Sequence, residues 1–249
     1  MFEKSDVVVN LAGHSIAKLW TKQNQKRIRE SRIYSTRAIA QAINACKNPP
    51  SVLVQASAVG IYPYNSQATI NENSPIGKGF LADICENWEN EAMACAERTR
   101  LIIIRTGVVL SNRGGFLPQI VTPIKHYFGA LLGNSKQVIP WIHIDDHIKA
   151  ILFLIENQSA KGVYNLTGPA NDNLKTIAKT AAKLLKKPVY LNISAHILNL
   201  LPGNMAKEVL LTNQTVEPMK LKELGFTWTY SNIEQALQNL LVSEDNFIP

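Results

Sequence analysis

The chain has 249 residues, 46% of them hydrophobic and 18% charged, which is enough apolar material for one sizeable core and excludes wholesale disorder. A formal net charge of +7 suits an anionic ligand, an acidic surface or nucleic acid and does not choose among them. Three scattered cysteines, Cys46, Cys85 and Cys95, form no CxxC pair, so no disulfide framework or zinc knuckle is implied and a reducing compartment is expected. In chain order, Asp6 to Leu11 (DVVVNL), closed by Ala12-Gly13, reads as a strand buried on both faces. A long helix follows from Thr21, its cap, to about Cys46, ended by Asn48-Pro49-Pro50. Its basic cluster, Lys22, Lys26, Arg27, Arg29, Arg32 and Arg37, reads as a wet helix face. Ser51 to Ala56 is a second buried strand, running into the small-residue turn Ser57 to Tyr62 and a polar loop to Gly79. Phe80 to about Arg98 is helical, and Leu101 to Arg105 is a third buried strand. Strands and helices in alternation predict right-handed crossovers and a parallel sheet.

The second half is less regular. A turn at Arg113-Gly114-Gly115 precedes a helix from about Leu117 to Phe128. Trp141 to Asp146 (WIHIDD) is a short extended piece before a helix, Ile148 to Glu156, capped by an aspartate. Gly162 to Leu166 is a strand, Leu174 to Lys187 an amphipathic helix and Val189 to Ile193 a short strand. The last fifty or so residues read as short helices, ending with Asn232 to Val242. The longest apolar stretch, Leu101 to Leu110, is broken by Arg105 and falls short of the ~20 apolar residues of a membrane span. Met1 to Asp6 is polar and charged and shows no signal peptide, so a cytoplasmic protein without a membrane partner is expected.

In an open parallel sheet, ligands sit at the carboxyl ends of the strands. That rule singles out Asn10 to Gly13, Ser57 to Tyr62, Arg105 to Val109 and, as a fourth candidate, the loop before Trp141. Ala12-Gly13 lets backbone approach a flat ligand, or simply makes a tight strand exit. Ser57 either bonds a substrate carbonyl or hydroxyl or is a turn serine bonded to local backbone. Arg105, ending an apolar strand, reads more readily as a buried structural donor than as a catalyst. The run His143, Asp145, Asp146 and His147 (HIDDH) lacks a second cluster to complete a metal site, and helix entry is its expected role.

Taken together and in order, DVVVNLAG, SRIYST at Ser31 to Thr36, ASAVGIY, FLADICENWENEA, IIIRTGVVLSNRGG and WIHIDD resemble the extended short-chain dehydrogenase/reductase family. More narrowly they are similar to its NAD(P)-dependent epimerase-like subgroup, whose members end in a small domain of unknown function and are sometimes labelled cell-division-inhibitor-like. AKEVLLTNQTVEPMKLKELGF at Ala206 to Phe226, then IEQALQNLL, fits that tail. The resemblance implies a Rossmann-like α/β fold over residues 1–170 that binds NAD(P), then a mostly helical segment 171–249 with the small domain from about residue 194. It places Ala12, Gly13, Ser57, Thr106 and Gly107 at the nicotinamide end and Ser57 in a catalytic role, with Tyr62 as a substitute acid/base. The helix over 21–46 is the expected homodimer face; nucleic acid finds poor aromatic interleaving there.

Two departures stand out. The family opens with a strand, a glycine-rich turn and two further strands, and no GxGxxG or GxxGxxG occurs in these 249 residues. The expectation is an N-terminally truncated chain, short by about 50–60 residues, that holds NAD(P) weakly or not at all, because the helix mouth that grips the diphosphate is absent, and whose strand at Asp6 to Leu11 is left a bare sheet edge. The wider family's Tyr and Lys four residues apart, in which the lysine charge favours the phenolate, are also absent; alignment on Trp88-Glu89 puts Leu81 and Cys85, or Phe80 and Ile84, there. Two functions remain open: an NAD(P)-dependent oxidoreductase or epimerase acting on a small polar substrate, and a non-enzymatic scaffold that keeps the fold.

Overall fold

A computed structural model describes residues 2–132, 137–189, 191–193 and 212–242. In chain order the elements are β1 (Val7–Asn10), α1 (Lys22–Ala45), β2 (Val52–Ala58), one 3-10 turn (Val59–Ile61), α2 (Phe80–Met93), β3 (Arg100–Thr106), β4 (Val108–Leu110), α3 (Phe116–Lys125), β5 (Ala130–Leu132), β6 (Val138–His143), α4 (Ile144–Glu156), β7 (Gly162–Leu166), β8 (Asn171–Asn173), α5 (Leu174–Leu185), β9 (Leu191–Ile193), α6 (Met219–Glu223) and α7 (Ile233–Val242). The main sheet is wholly parallel, in the order β1-β2-β3-β7. A three-stranded sheet, β4-β6-β8, and the pair β5-β9 complete the strands. The fold is the Rossmann-like α/β arrangement with a helical C-terminal part.

β2 and β3 are apolar throughout because both of their faces are covered. Val52, Val54, Ile102 and Ile104 pack with Ala150, Ile151 and Leu154 of α4. Leu53, Leu101 and Ile103, pointing the other way, pack with Ala40 and Ile43 of α1 and Ala92 of α2. The side-chain alternation of a strand thus feeds two cores at once.

β1 is not buried on both faces as its valines suggest; it is the sheet edge expected of a chain without the family's opening strands. Among the described residues it pairs with β2 alone, and Val9 and Leu11 are 42% and 56% exposed. α2 ends at Met93 rather than near Arg98, because Cys95, Ala96 and Arg98 close successive three-residue turns that bring the chain round into β3. α4 begins at Ile144, four residues before the expected start. His143 rather than an aspartate is its N-cap, Nδ1 accepting from the Asp145 amide. The expected short helices between residues 194 and 211 lie outside the described residues.

The basic cluster on α1 is not one wet face. Arg29 contacts Asp83 and Arg37 grips both oxygens of Glu91, both on α2, while Arg32 turns inward over the Trp88 ring. The HIDDH run fastens the tail to the core. The Asp146 carboxylate, fully buried, accepts from the Thr229 and Tyr230 amides at 2.8 and 2.9 Å, and the His143 ring stacks on Tyr230 with centroids 3.8 Å apart. Earlier in the tail, residues 212–217 run as a strap across the loop that follows β2. Asn213 bridges to Asn65 and Val216 to Ile70. Buried Gln214 donates Nε2 to the Pro63 carbonyl at 2.9 Å, close to those of Tyr62 and Val59. Among the described residues no helix is long and apolar enough to cross a membrane.

Candidate functional site

One buried polar chain joins the carboxyl ends of β2, β3 and β7. Ser57 Oγ donates to Glu89 Oε1 at 2.6 Å. Arg105 grips the same carboxylate with Nε and Nη2, both at 2.8 Å, and its Nη1 donates to Tyr62 Oη at 3.0 Å. Tyr62 Oη donates in turn to Asn165 Oδ1 at 2.8 Å, and the Asn165 amide donates to Glu72 Oε1 at 3.0 Å. All of these residues are buried. Burial works against the Arg105 charge, yet the hydrogen bonds and charge of Glu89 outweigh it and hold the guanidinium above its ordinary value. Burial likewise raises the Tyr62 hydroxyl, only partly offset by Arg105, so Tyr62 stays protonated at neutral pH.

A second buried network lies beside the first. Asn10 Nδ2 donates to Thr36 Oγ1 and Gln55 Oε1 at 3.0 and 2.9 Å, and Trp88 Nε1 donates to Thr36 Oγ1 at 2.8 Å. It ties the end of β1 to α1, β2 and α2, and every polar group in it finds a partner, as buried polar groups require.

The residues expected at the site divide between these networks and the surface. Ser57 and Tyr62 share the first chain and are 4% and 1% exposed. Ala12 and Gly13 are exposed just beyond β1. Thr106, in register with Ala58, places Oγ1 3.2 Å from His147 Nε2. Gly107 is packed from within: a Cβ there would lie 2.5 Å from the Pro140 carbonyl oxygen and 2.9 Å from Thr167 Cγ2. Gly107→Ala is therefore expected to cost about 1–3 kcal/mol in urea unfolding whether or not a ligand is present, and an unchanged midpoint would contradict it.

The pair four residues apart on α2 that faces Ser57 is Cys85 and Glu89. Burial, with the Glu89 charge adding to it, pushes the Cys85 thiol up to about 12. Glu89 and Asn165 were not singled out from sequence. The available signal was Arg105 itself, since an arginine on an apolar strand demands a buried carboxylate. Beside Tyr62 a shallow cleft opens between Gly60, Tyr64, Lys78, Ala82 and Gln214, where the strap meets the loop.

Ala12 and Gly13 present exposed backbone with nothing larger than a methyl group, which lets a flat ring approach. The 249 residues contain no glycine-rich turn to cradle a diphosphate.

Residues 1–167 match the NAD dependent epimerase/dehydratase family, and residues 193–240 match a domain of unknown function, DUF1731. An epimerase family protein of Staphylococcus aureus (strain MRSA252) is 39% identical over 240 residues, spanning 95% of this chain and 79% of that protein. The chloroplastic SDR39U1 homolog of Arabidopsis thaliana is 36% identical over 95% of this chain and 69% of its own. Among solved structures, the human epimerase family protein SDR39U1 (isoform 2), crystallised with NADPH, superposes with a TM-score of 0.89 at 28% identity, covering 94% of this chain and 81% of that one.

Proposed function

Because the chain belongs to the NAD dependent epimerase/dehydratase family, we propose that it takes NAD(P) at the carboxyl ends of β1, β2 and β3 and acts on a small polar substrate as an epimerase-like oxidoreductase. The observation that carries this reading is the junction of Ser57, Glu89 and Arg105 beside the exposed Ala12-Gly13 turn. When bound, NAD(P) supplies hydride transfer. Ala12, Gly13, Thr106 and Gly107 border the nicotinamide end. Ser57 has committed its proton to Glu89, so its free lone pairs accept from a substrate hydroxyl and orient it. Tyr62 acts as a positioning residue, because its hydroxyl already donates to Asn165 and accepts from Arg105.

With no glycine-rich turn in these residues, the 249-residue chain holds the dinucleotide weakly. A fluorescence titration with NADPH is expected to saturate only above the micromolar range, and in NMR spectra the amides of Ala12, Gly13 and Thr106 are expected to shift along the same curve. Micromolar affinity would refute the weak binding. Saturation that leaves those three amides unmoved would refute the location.

A second reading, a non-enzymatic scaffold, is supported by the Cys85 and Glu89 pair facing Ser57. A neutral buried thiol and a carboxylate already bound by arginine leave no free acid or base there. It predicts binding of NADPH without oxidation of it by any sugar-nucleotide or hydroxy-ketone tested.

A further inference from the structure

Arg32 is the one arginine turned inward from α1, and its charge lacks a counterpart. Arg29 and Arg37 on the same helix pair with Asp83 and Glu91, and Arg105 pairs with Glu89. Arg100, which also lacks a carboxylate, donates to the Leu154, Ile155, Asn157 and Ala160 carbonyls at the end of α4, where the helix dipole is negative. Arg32 has no such compensation. Its Nη1 donates to the His14 and Ile28 carbonyls, and its guanidinium lies over the Trp88 ring, 5.1 Å from the centroid. No carboxylate among the described residues pairs with it. Burial lowers its pKa, and the group that acts on it electrostatically is the Cys85 thiol, which is neutral at physiological pH. A half-buried cation without an anion is costly.

The place of this charge matters. A Cβ on Gly13 would lie 3.0 Å from Arg32 Cζ and 3.1 Å from Nη2, so the guanidinium sits flush against the exposed turn after β1. Nε and Nη2 have no hydrogen-bond partner among the described residues. The same turn holds a polar atom that is buried and without a partner, His14 Nε2. The His14 amide donates to Ser31 Oγ at 2.9 Å, which fixes the turn to α1.

We propose that Arg32 is an anion anchor, pairing through Nε and Nη2 with a phosphate or carboxylate of the ligand that occupies this face. Guanidinium matches both oxyanions in a fork geometry, and the Trp88 ring beneath it and its two carbonyl acceptors hold the group in place in advance. The identity of the ligand rests on the reading of this face as the cofactor and substrate site; the anchoring of an anion does not.

The test is thermal unfolding of the full chain in pyrophosphate, malonate or potassium chloride at matched ionic strength, for the wild type, Arg32→Gln and Arg32→Lys. At ten times its Kd an anchored anion is expected to raise Tm by about 3–5 °C over chloride. Arg32→Gln should lose that rise and Arg32→Lys keep part of it. A rise in pyrophosphate alone assigns the anion to the cofactor, a rise in malonate alone to a carboxylate-bearing substrate, and both to an anchor open to either. Equal rises in the wild type and Arg32→Gln, or none in the wild type, would overturn the proposal. Should Arg32→Gln not fold, the wild-type Arg32 Nε resonance decides: it should move on pyrophosphate or malonate titration, and an unmoved signal counts against the anchor. No dinucleotide enters this experiment, so failure of NADPH binding and failure of the anchor are separate outcomes.

Discussion

Glu89→Gln is expected to cost about 3–5 kcal/mol of folding stability, because it leaves the Arg105 charge buried without its carboxylate. Both residues are under 10% exposed, and Arg105 holds the carboxylate through two bonds. The amide of glutamine keeps one acceptor for the guanidinium, but it presents N–H groups where Arg105 and Ser57 already donate. In thermal unfolding the loss corresponds to a Tm lower by roughly 10 °C. The double variant Glu89→Gln/Arg105→Gln should recover a good part of it, since both charges then leave the interior together. A single variant within about 1 kcal/mol of wild type would mean that the pair is open to water in solution. The same measurement bears on Ser57, whose hydroxyl loses its charged acceptor and becomes free to rotate.

Acid is expected to destabilise the protein well above the range where carboxylates titrate. Burial pushes the His147 imidazole down to about 4 in the folded chain, against 6.5 as its ordinary value. Between those two values the unfolded chain binds a proton that the folded chain refuses. Stability is therefore full above pH 6.5 and falls as pH drops toward 4. From pH 7.5 to 5 the expected loss from this one group is about 2 kcal/mol, and about 3 kcal/mol at pH 4 and below. Burial lowers His143 as well, and its Nδ1 must stay unprotonated to cap α4, so it acts in the same sense. Urea unfolding at several pH values measures the slope. His147→Gln should flatten it, and an equal slope in that variant would assign the acid sensitivity elsewhere.

The parts of this fold legible in the sequence are those where one physical cause leaves an unbroken trace. β2 and β3 are covered on both faces, so SVLVQA and LIIIR read as strands without ambiguity. β1 carries the same valine-rich pattern, and its place at the sheet edge follows from the absent opening strands rather than from residue type. The start of α4 lies ahead of its expected place because histidine caps it through a ring nitrogen, whereas the two aspartates offer the more familiar cap. β4, β5 and β8 are three residues each, too short for any period to register. At the site, the position of Ser57 at a strand's end was legible. The commitment of its proton was not, since Glu89 lies 32 residues away on a helix. The strap went unread for a related reason: Asn213 and Gln214 act through backbone and amide groups, which leave no hydrophobic pattern.

That strap also sets an order of events. Gln214 reaches its carbonyl acceptor at Pro63 across 151 residues of sequence. On a ribosome adding roughly 5–20 residues per second, the turn after β2 waits about 7–30 s for the segment that completes it. During that interval the first three strands and their helices can already have paired, while the Val59, Tyr62 and Pro63 carbonyls remain solvated. The cleft beside Tyr62 is thus among the last parts of the molecule to take shape, and a nascent chain halted before residue 214 would carry a formed sheet with an unfinished pocket.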